Sequence, residues 1–84
     1  MKVVNNMWWK VKKIYEDDNK IVYAYSYESH KLDGKIECYK KTQEFKCLKL
    51  SDEDNENSVQ RFYTHLWRLI FKEDAPEEKI IAIG

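Results

Sequence analysis

Residues 21–27 read Ile-Val-Tyr-Ala-Tyr-Ser-Tyr, with a ring at every second position from Tyr23 onward. Successive side chains alternate between two faces only in an extended strand. The run therefore predicts a β-strand showing Ile21, Tyr23, Tyr25 and Tyr27 to one side. Such a face needs neighbouring strands and a covering layer, and the flanking sequence offers both. Met7 to Tyr15 carries Trp9, Val11 and Tyr15 at alternate positions, and Asp17-Asp18-Asn19 reads as a three-residue hairpin loop with Asn19 in the left-handed conformation. Tyr15 then pairs with Ile21, and Met7, Trp9, Val11 and Tyr15 join the face of the tyrosines.

Asp33-Gly34 is the strongest turn signal in the chain, since a type I′ hairpin needs positive φ at both central residues. It sets Leu32 opposite Lys35 and puts Ile36 and Cys38 on the side of Tyr25 and Tyr27. A four-residue loop at Lys41 to Glu44 sets Cys38 opposite Cys47 and Lys40 opposite Phe45, adding Phe45 and Cys47 to the same face. A three-residue loop would instead shift the register by one and send Leu48 and Leu50 inward.

Ser51 to Ser58 is an acidic, amide-rich connector with several candidate helix N-caps. Beyond it Val59, Phe62, Tyr63, Leu66, Trp67, Leu69 and Ile70 recur at spacings of three and four, an apolar stripe of about four helical turns. Pro76 ends the helix near Lys72 to Asp74. Lys79 to Gly84 is β-prone and short, a candidate edge strand. The expected fold class is α+β: an antiparallel four-stranded meander, with residues 79–84 as a candidate fifth strand, and one amphipathic helix packed on one face.

At 84 residues the chain accommodates one core, so residues 1–84 are read as a single domain. Ile21 to Tyr27, the longest uncharged apolar stretch, is far short of the roughly 20 residues of a membrane helix. Residues 1–6 have no apolar run fit for a signal peptide, and a cytoplasmic location is expected. Fifteen basic and fifteen acidic residues cancel. They are unevenly placed, however: residues 1–49 hold eleven Lys against seven acids, while residues 50–84 hold four basic groups against eight acids. Overall neutrality argues against a strong field for nucleic acid or anionic lipid. Thirteen Lys against two Arg, with abundant Asn, Ile and Tyr, fits coding sequence rich in A and T, as in a low-GC bacterium or mobile element.

The stretch Asp33-Gly34-Lys35-Ile36-Glu37-Cys38-Tyr39-Lys40-Lys41-Thr42-Gln43-Glu44-Phe45-Lys46-Cys47-Leu48-Lys49-Leu50, the helix after it, and the ending Ala75-Pro76-Glu77-Glu78-Lys79-Ile80-Ile81-Ala82-Ile83-Gly84 together resemble short uncharacterised proteins of clostridial chromosomes and conjugative transposons. The resemblance covers about half of the chain. It implies bacterial origin and a small accessory role, and brings no mechanism with it.

Cys38 and Cys47 lack the paired C-x-x-C knuckle of a zinc site, and the chain has only two histidines, His30 and His65. Core packing is the expected role of the two thiols, with a cross-strand disulfide as the alternative; no metal or cofactor is expected. Two surfaces remain as candidate binding sites. On the helix, Arg61, His65, Arg68 and Lys72 fall at spacings of four, three and four, a basic stripe whose planar guanidinium groups suit carboxylate or phosphate. The plain alternative is a solvated helix face. On the sheet, the side away from the helix collects Trp8, Lys10, Lys12, Lys35, Tyr39 and Lys46, with Ile14, Val22, Leu48 and Leu50 also turned outward and Trp8, Glu28, Tyr39 and Lys46 in one cross-strand row.

Aromatics among lysines suit single-stranded nucleic acid. Glu28, Glu37 and zero net charge favour a protein interface, for which Trp8 and Tyr39 are typical anchors. Two glycines leave no Gly-rich phosphate loop, so an enzyme is not expected. The expected function is a non-catalytic protein-interaction or regulatory module whose partner is another protein or a second copy. The alternative is a nucleic-acid accessory protein of a mobile element, and no membrane partner is expected.

Overall fold

A computed structural model describes residues 7–52 and 54–83. Residues 1–6, Glu53 and Gly84, which enter the readings of the N-terminal segment, the connector and the tail, lie outside the described residues. Five strands and one helix follow in the order β1 (Met7–Glu16), β2 (Lys20–Tyr27), β3 (Gly34–Tyr39), β4 (Phe45–Lys49), α1 (Glu56–Lys72) and β5 (Glu78–Ile83). The strands form one antiparallel sheet in the order β4-β3-β2-β1-β5. This is an α+β fold, and the tail does add a fifth strand at the sheet edge.

One face of the sheet is buried under the helix. Trp9, Val11, Ile21, Tyr23, Tyr25, Ile36 and Cys38 meet Val59, Phe62, Leu66, Leu69 and Ile70 in a single core. Phe62 sits between two rings, 5.2 Å from Trp9 and 5.0 Å from Tyr25, both stacked. Each large side chain removed from water in this way contributes roughly 1.5 to 3 kcal/mol. The helix begins at Glu56, earlier than the apolar stripe alone requires, because the Asn55 side chain caps it by accepting from Ser58 N at 2.9 Å. It ends one residue before the cap position Glu73, and Asp74 and Ala75 turn the chain at positive φ of 62° and 46°. Tyr23 Oη donates to the Pro76 carbonyl at 2.6 Å and Lys13 Nζ to that of Ala75 at 3.0 Å, which ties this turn to the sheet and aims β5 at β1.

Several turn and register expectations are corrected. Trp9 pairs with Tyr27 and Lys13 with Tyr23, as the Tyr15–Ile21 register requires, but a bulge between Lys13 and Tyr15 moves Tyr15 opposite Val22. The extra residue reverses the facing, and Tyr15 is 49% exposed instead of in the core. Asn19 is not among the residues with positive φ. Its turn is closed by Asp17, whose Oδ1 accepts from Asn19 N and Lys20 N at 2.8 Å each.

The Asp33-Gly34 hairpin does not form. β2 and β3 are joined by residues 28–33, and Gly34 already belongs to β3, opposite Tyr25. Both residues serve other needs. Asp33 accepts from Ser51 Oγ at 2.7 Å and Asp52 N at 3.2 Å, anchoring the connector to the helix. Gly34 has no positive φ; it is required because a Cβ there would stand 2.3 Å from Tyr25 Cε1 and 2.9 Å from Ser51 N.

The β3–β4 loop closes one residue earlier than expected, with Tyr39 N donating to the Glu44 carbonyl and Gln43 at φ 62°. Cys38 consequently pairs with Phe45 and Cys47 with Ile36, so the two cysteines are not opposed and both are free thiols. A second bulge, between Lys35 and Ile36 in the β3–β4 register, leaves Leu48 outward but turns Leu50 onto the core, against the outward expectation.

Candidate functional site

Because β1 alternates strictly up to its bulge, Trp9 is fully buried while Trp8 points to the other side. The registers place all six expected sheet residues on that side. Lys10 pairs with Ser26 and Ile80, and its Nζ lies 3.6 Å from Glu78. Lys12 stands between Ala24 and Glu78, and Lys35 between Ala24 and Lys49. Tyr39 pairs with Lys20, and Lys46 with Glu37.

The row of Trp8, Glu28, Tyr39 and Lys46 is not formed. Glu28 N donates to the Trp8 carbonyl at one end of β2, whereas Tyr39 sits by Lys20 at the other. The longer β2–β3 connection slides β3 along β2 and separates the two rings.

Two of the rings on this face have neighbours, while Tyr39 stays exposed. Trp8 packs against His30 with ring centroids 5.3 Å apart, and Lys20 Nζ lies 5.8 Å from the centre of the Tyr15 ring. Between the ends, the floor along β2 is Val22, Ala24 and Ser26, all buried. They are flanked by the longer side chains of Lys10 and Lys12 on β1 and of Lys35 and Glu37 on β3. Among the described residues, the large hydrophobic side chains that are exposed are Ile14, Tyr15, Tyr39, Leu48 and Ile80. The pleat sets Ile14, Tyr15, Tyr39 and Ile80 on this open face and Leu48 at its β4 margin.

The electrostatics of the face are one-sided. Lys10, Lys12, Lys20, Lys35 and Lys46 project from it, against Glu37 and Glu78. Both carboxylates are already engaged, Glu37 with Lys20 Nζ at 2.9 Å and Glu78 with Lys10. The Lys20 hydrogen bond holds the Glu37 carboxyl below its ordinary range and the Lys20 ammonium above its own. Lys12 and Lys35 make no ion pair with any described residue.

The helix residues are less gathered. Arg61, Arg68 and Lys72 are exposed, and His65 is half-buried, its ring stacked 6.4 Å from Trp9. Lys72 Nζ lies 5.6 Å from the centre of the Trp67 ring, and Trp67 donates to Gln43 Oε1 at 2.9 Å on the β4 side. Arg61 acts on the Tyr27 hydroxyl electrostatically. The stripe is thus divided between contacts to the sheet and contacts along the helix.

Two other features lie apart from these surfaces. A groove of about 440 Å³ runs between β4 and the helix, lined by Cys47, Leu50, Val59 and Tyr63 among others. Burial pushes the Cys38 thiol up to about 11 and raises that of Cys47, so both are held protonated at neutral pH. Among the described residues no three His, Cys, Asp or Glu side chains gather as metal ligands.

Reasoning from the sequence missed Tyr15, Lys20, Glu78 and Ile80 as members of the open face. No local signal marked Tyr15, which the bulge turns outward and whose hydroxyl donates to Asp17 Oδ2 at 2.7 Å. Ile80 and Glu78 needed the pairing of β5 with β1. Comparison with known protein families, curated proteins and solved structures finds no match for the chain. None of the described helices is long and apolar enough to cross a membrane.

Proposed function

We propose that this protein is a non-catalytic interaction module that engages an acidic, partly apolar protein surface through its open sheet face. The observation that carries the reading is the coincidence of two properties on one face: exposed large hydrophobic side chains and an excess of lysines over carboxylates, with Lys12 and Lys35 outside any ion pair among the described residues. Apolar side chains supply desolvated contact, while the lysines steer and select a partner of opposite charge. A second copy is a poor occupant for this face, since a two-fold face-to-face contact would bring lysines against lysines.

Nucleic acid is the second reading, favoured by the same lysines. Against it, Ile14, Leu48 and Ile80 offer no ring for a base to stack on, and Trp8 and Tyr15 already have a neighbour at the ring, which leaves Tyr39 as the one uncovered platform among the described residues of this face. The resemblance to short clostridial and transposon-borne proteins fits an accessory role of this kind in a bacterial cytoplasm.

The test is recovery of a host protein on the immobilised wild-type chain and on Lys12→Glu/Lys35→Glu, which reverses charge at the two lysines without ion pairs. The reading expects an acidic protein retained by the wild type and lost from the variant. A single-stranded oligonucleotide should leave Trp fluorescence unchanged at about 50 mM salt. Oligonucleotide quenching that weakens as salt rises would move the assignment to the second reading. Retention of the partner by the variant would remove the open face from the account.

A further inference from the structure

The two edges of the sheet are built differently. β4 is five residues long, carries Lys46 and Lys49, and is bent by the bulge at its β3 pairing, all of which discourage a further strand. β5 has none of these devices past Lys79: it continues Ile80-Ile81-Ala82, free of bulge, Pro or charge, and Ile80 is 51% exposed. Its hydrogen-bonding groups are also assignable. Lys13 N donates to the Glu77 carbonyl at 2.7 Å, and Glu28 N to the Trp8 carbonyl on the opposite side of β1. In an antiparallel ladder the residues alternate. Odd residues of β5 therefore bond to β1, while the N–H and C=O of Glu78, Ile80 and Ala82 point out from the edge.

We infer that β5 pairs antiparallel with β5 of a second copy, joining two sheets across a two-fold axis that passes beside Ile80. In that register Ile80 faces Ile80 of the other copy, and Glu78 faces its Ala82. Glu78, Ile80 and Ala82 all exchange backbone bonds. Between these rows Lys79 meets Ile81, so no like charges are opposed. Sliding by one pair in one direction would set Lys79 against Lys79; sliding in the other loses a bonded row. The occupant is a second copy because the edge is complementary to itself under a two-fold operation, and such isologous pairing closes the assembly at two chains.

The operation keeps both open faces on the same side. The dimer then presents one lysine-bearing surface of ten strands, twice that of the single chain. The inference does not depend on what that surface binds.

The experiment is sedimentation of the wild type, of Ile80→Lys, of Ile80→Glu, and of the two variants mixed. Expected are a dimer for the wild type, single chains for each variant alone, because like charges then oppose each other at the axis, and a restored dimer in the mixture. Circular dichroism should show that each variant keeps its helix and sheet. Amide exchange of the wild-type dimer should protect Glu78, Ile80 and Ala82, and dilution to single chains should release them. Lys12→Glu/Lys35→Glu should remain dimeric, which separates this inference from the open-face reading. A wild type that stays a single chain at millimolar concentration, variants that dimerise unmixed, or a mixture that fails to reassociate would each overturn it.

Discussion

Ile21, Tyr23 and Tyr25 on one side of β2 are buried, and so are Val22, Ala24 and Ser26 on the other. The causes differ. The first set lies beneath the helix and contributes rings to a packed core, whereas the second has no second layer above it among the described residues and sits low between the longer side chains of β1 and β3. Equal burial therefore hides unequal roles. The covered face has the interlocked volume that makes a fold, and the open face has small residues that need little cover, surrounded by side chains still able to meet a partner.

Adjacent tryptophans give the strongest way to break this comparison. Trp9 is fully buried against Phe62 and Tyr27, so Trp9→Ala should cost about 3 to 5 kcal/mol, a large part of the 5 to 15 kcal/mol typical of a domain. Trp8→Ala removes a half-buried ring beside His30 and should cost under about 1 kcal/mol while weakening partner binding. Urea melts of the two variants check the ranking. A larger loss at Trp8 would exchange the faces.

Gly34→Ala comes next. Its Cβ would meet the buried Tyr25 ring and the Ser51 backbone, and neither has room to retreat. Overpacking of this kind typically costs about 1 to 3 kcal/mol, read as a lower urea midpoint with an unchanged slope. A neutral result would show that Tyr25 can leave its place under the helix.

The smallest effect concerns two carboxylates at the end of the covered face. Burial raises the Asp54 carboxyl, although Asn55 N and the Tyr25 hydroxyl hydrogen-bond to it and work the other way. The Trp9 indole N–H also lowers it while making no hydrogen bond of full geometry itself. Asp54 ionisation therefore opposes folding: its contribution is complete below the ordinary carboxyl range and is lost as pH rises through the elevated folded value. Asp33 has the opposite sign. Burial pushes its carboxyl up, but hydrogen bonds from the Ser51 hydroxyl and the Asp52 amide outweigh burial and hold it low, so its contribution is lost as pH falls. Asp54→Asn should raise the urea midpoint slightly at about pH 7, the difference from wild type closing toward about pH 4. A loss of stability at both values would contradict this assignment.

Parity explains how much of this was legible in the sequence. The expected Asp33-Gly34 hairpin and the observed six-residue connection both join odd residues of one strand to even residues of the other. Ile36 and Cys38 consequently reach the helix side under either, and the faces survive a wrong turn. The same holds for Phe45 and Cys47 in the shifted β3–β4 loop. Legibility ended where a residue was inserted. Bulges at Ile14 and Leu48 turned Tyr15 out and Leu50 in, and neither bulge has a local signature, since both are set by what the strand must reach in three dimensions. Asp33 and Gly34 misled for a similar reason: their usual turn chemistry was overridden by Ser51, far along the chain, and by the Tyr25 ring on the neighbouring strand. The open face was therefore read correctly in its membership of Trp8, Lys10, Lys12, Lys35, Tyr39 and Lys46, and incorrectly in its arrangement.

The central claim is that binding belongs to the open sheet face and not to the helix stripe. The most direct measurement is the change in backbone amide NMR shifts when the recovered acidic partner is added to the labelled protein. The account predicts shifts concentrated at Trp8, Lys10, Lys12, Lys35, Tyr39 and Lys46, with Arg61, His65, Arg68 and Lys72 unmoved. Shifts gathered on those four helix residues, with the sheet residues silent, would contradict it.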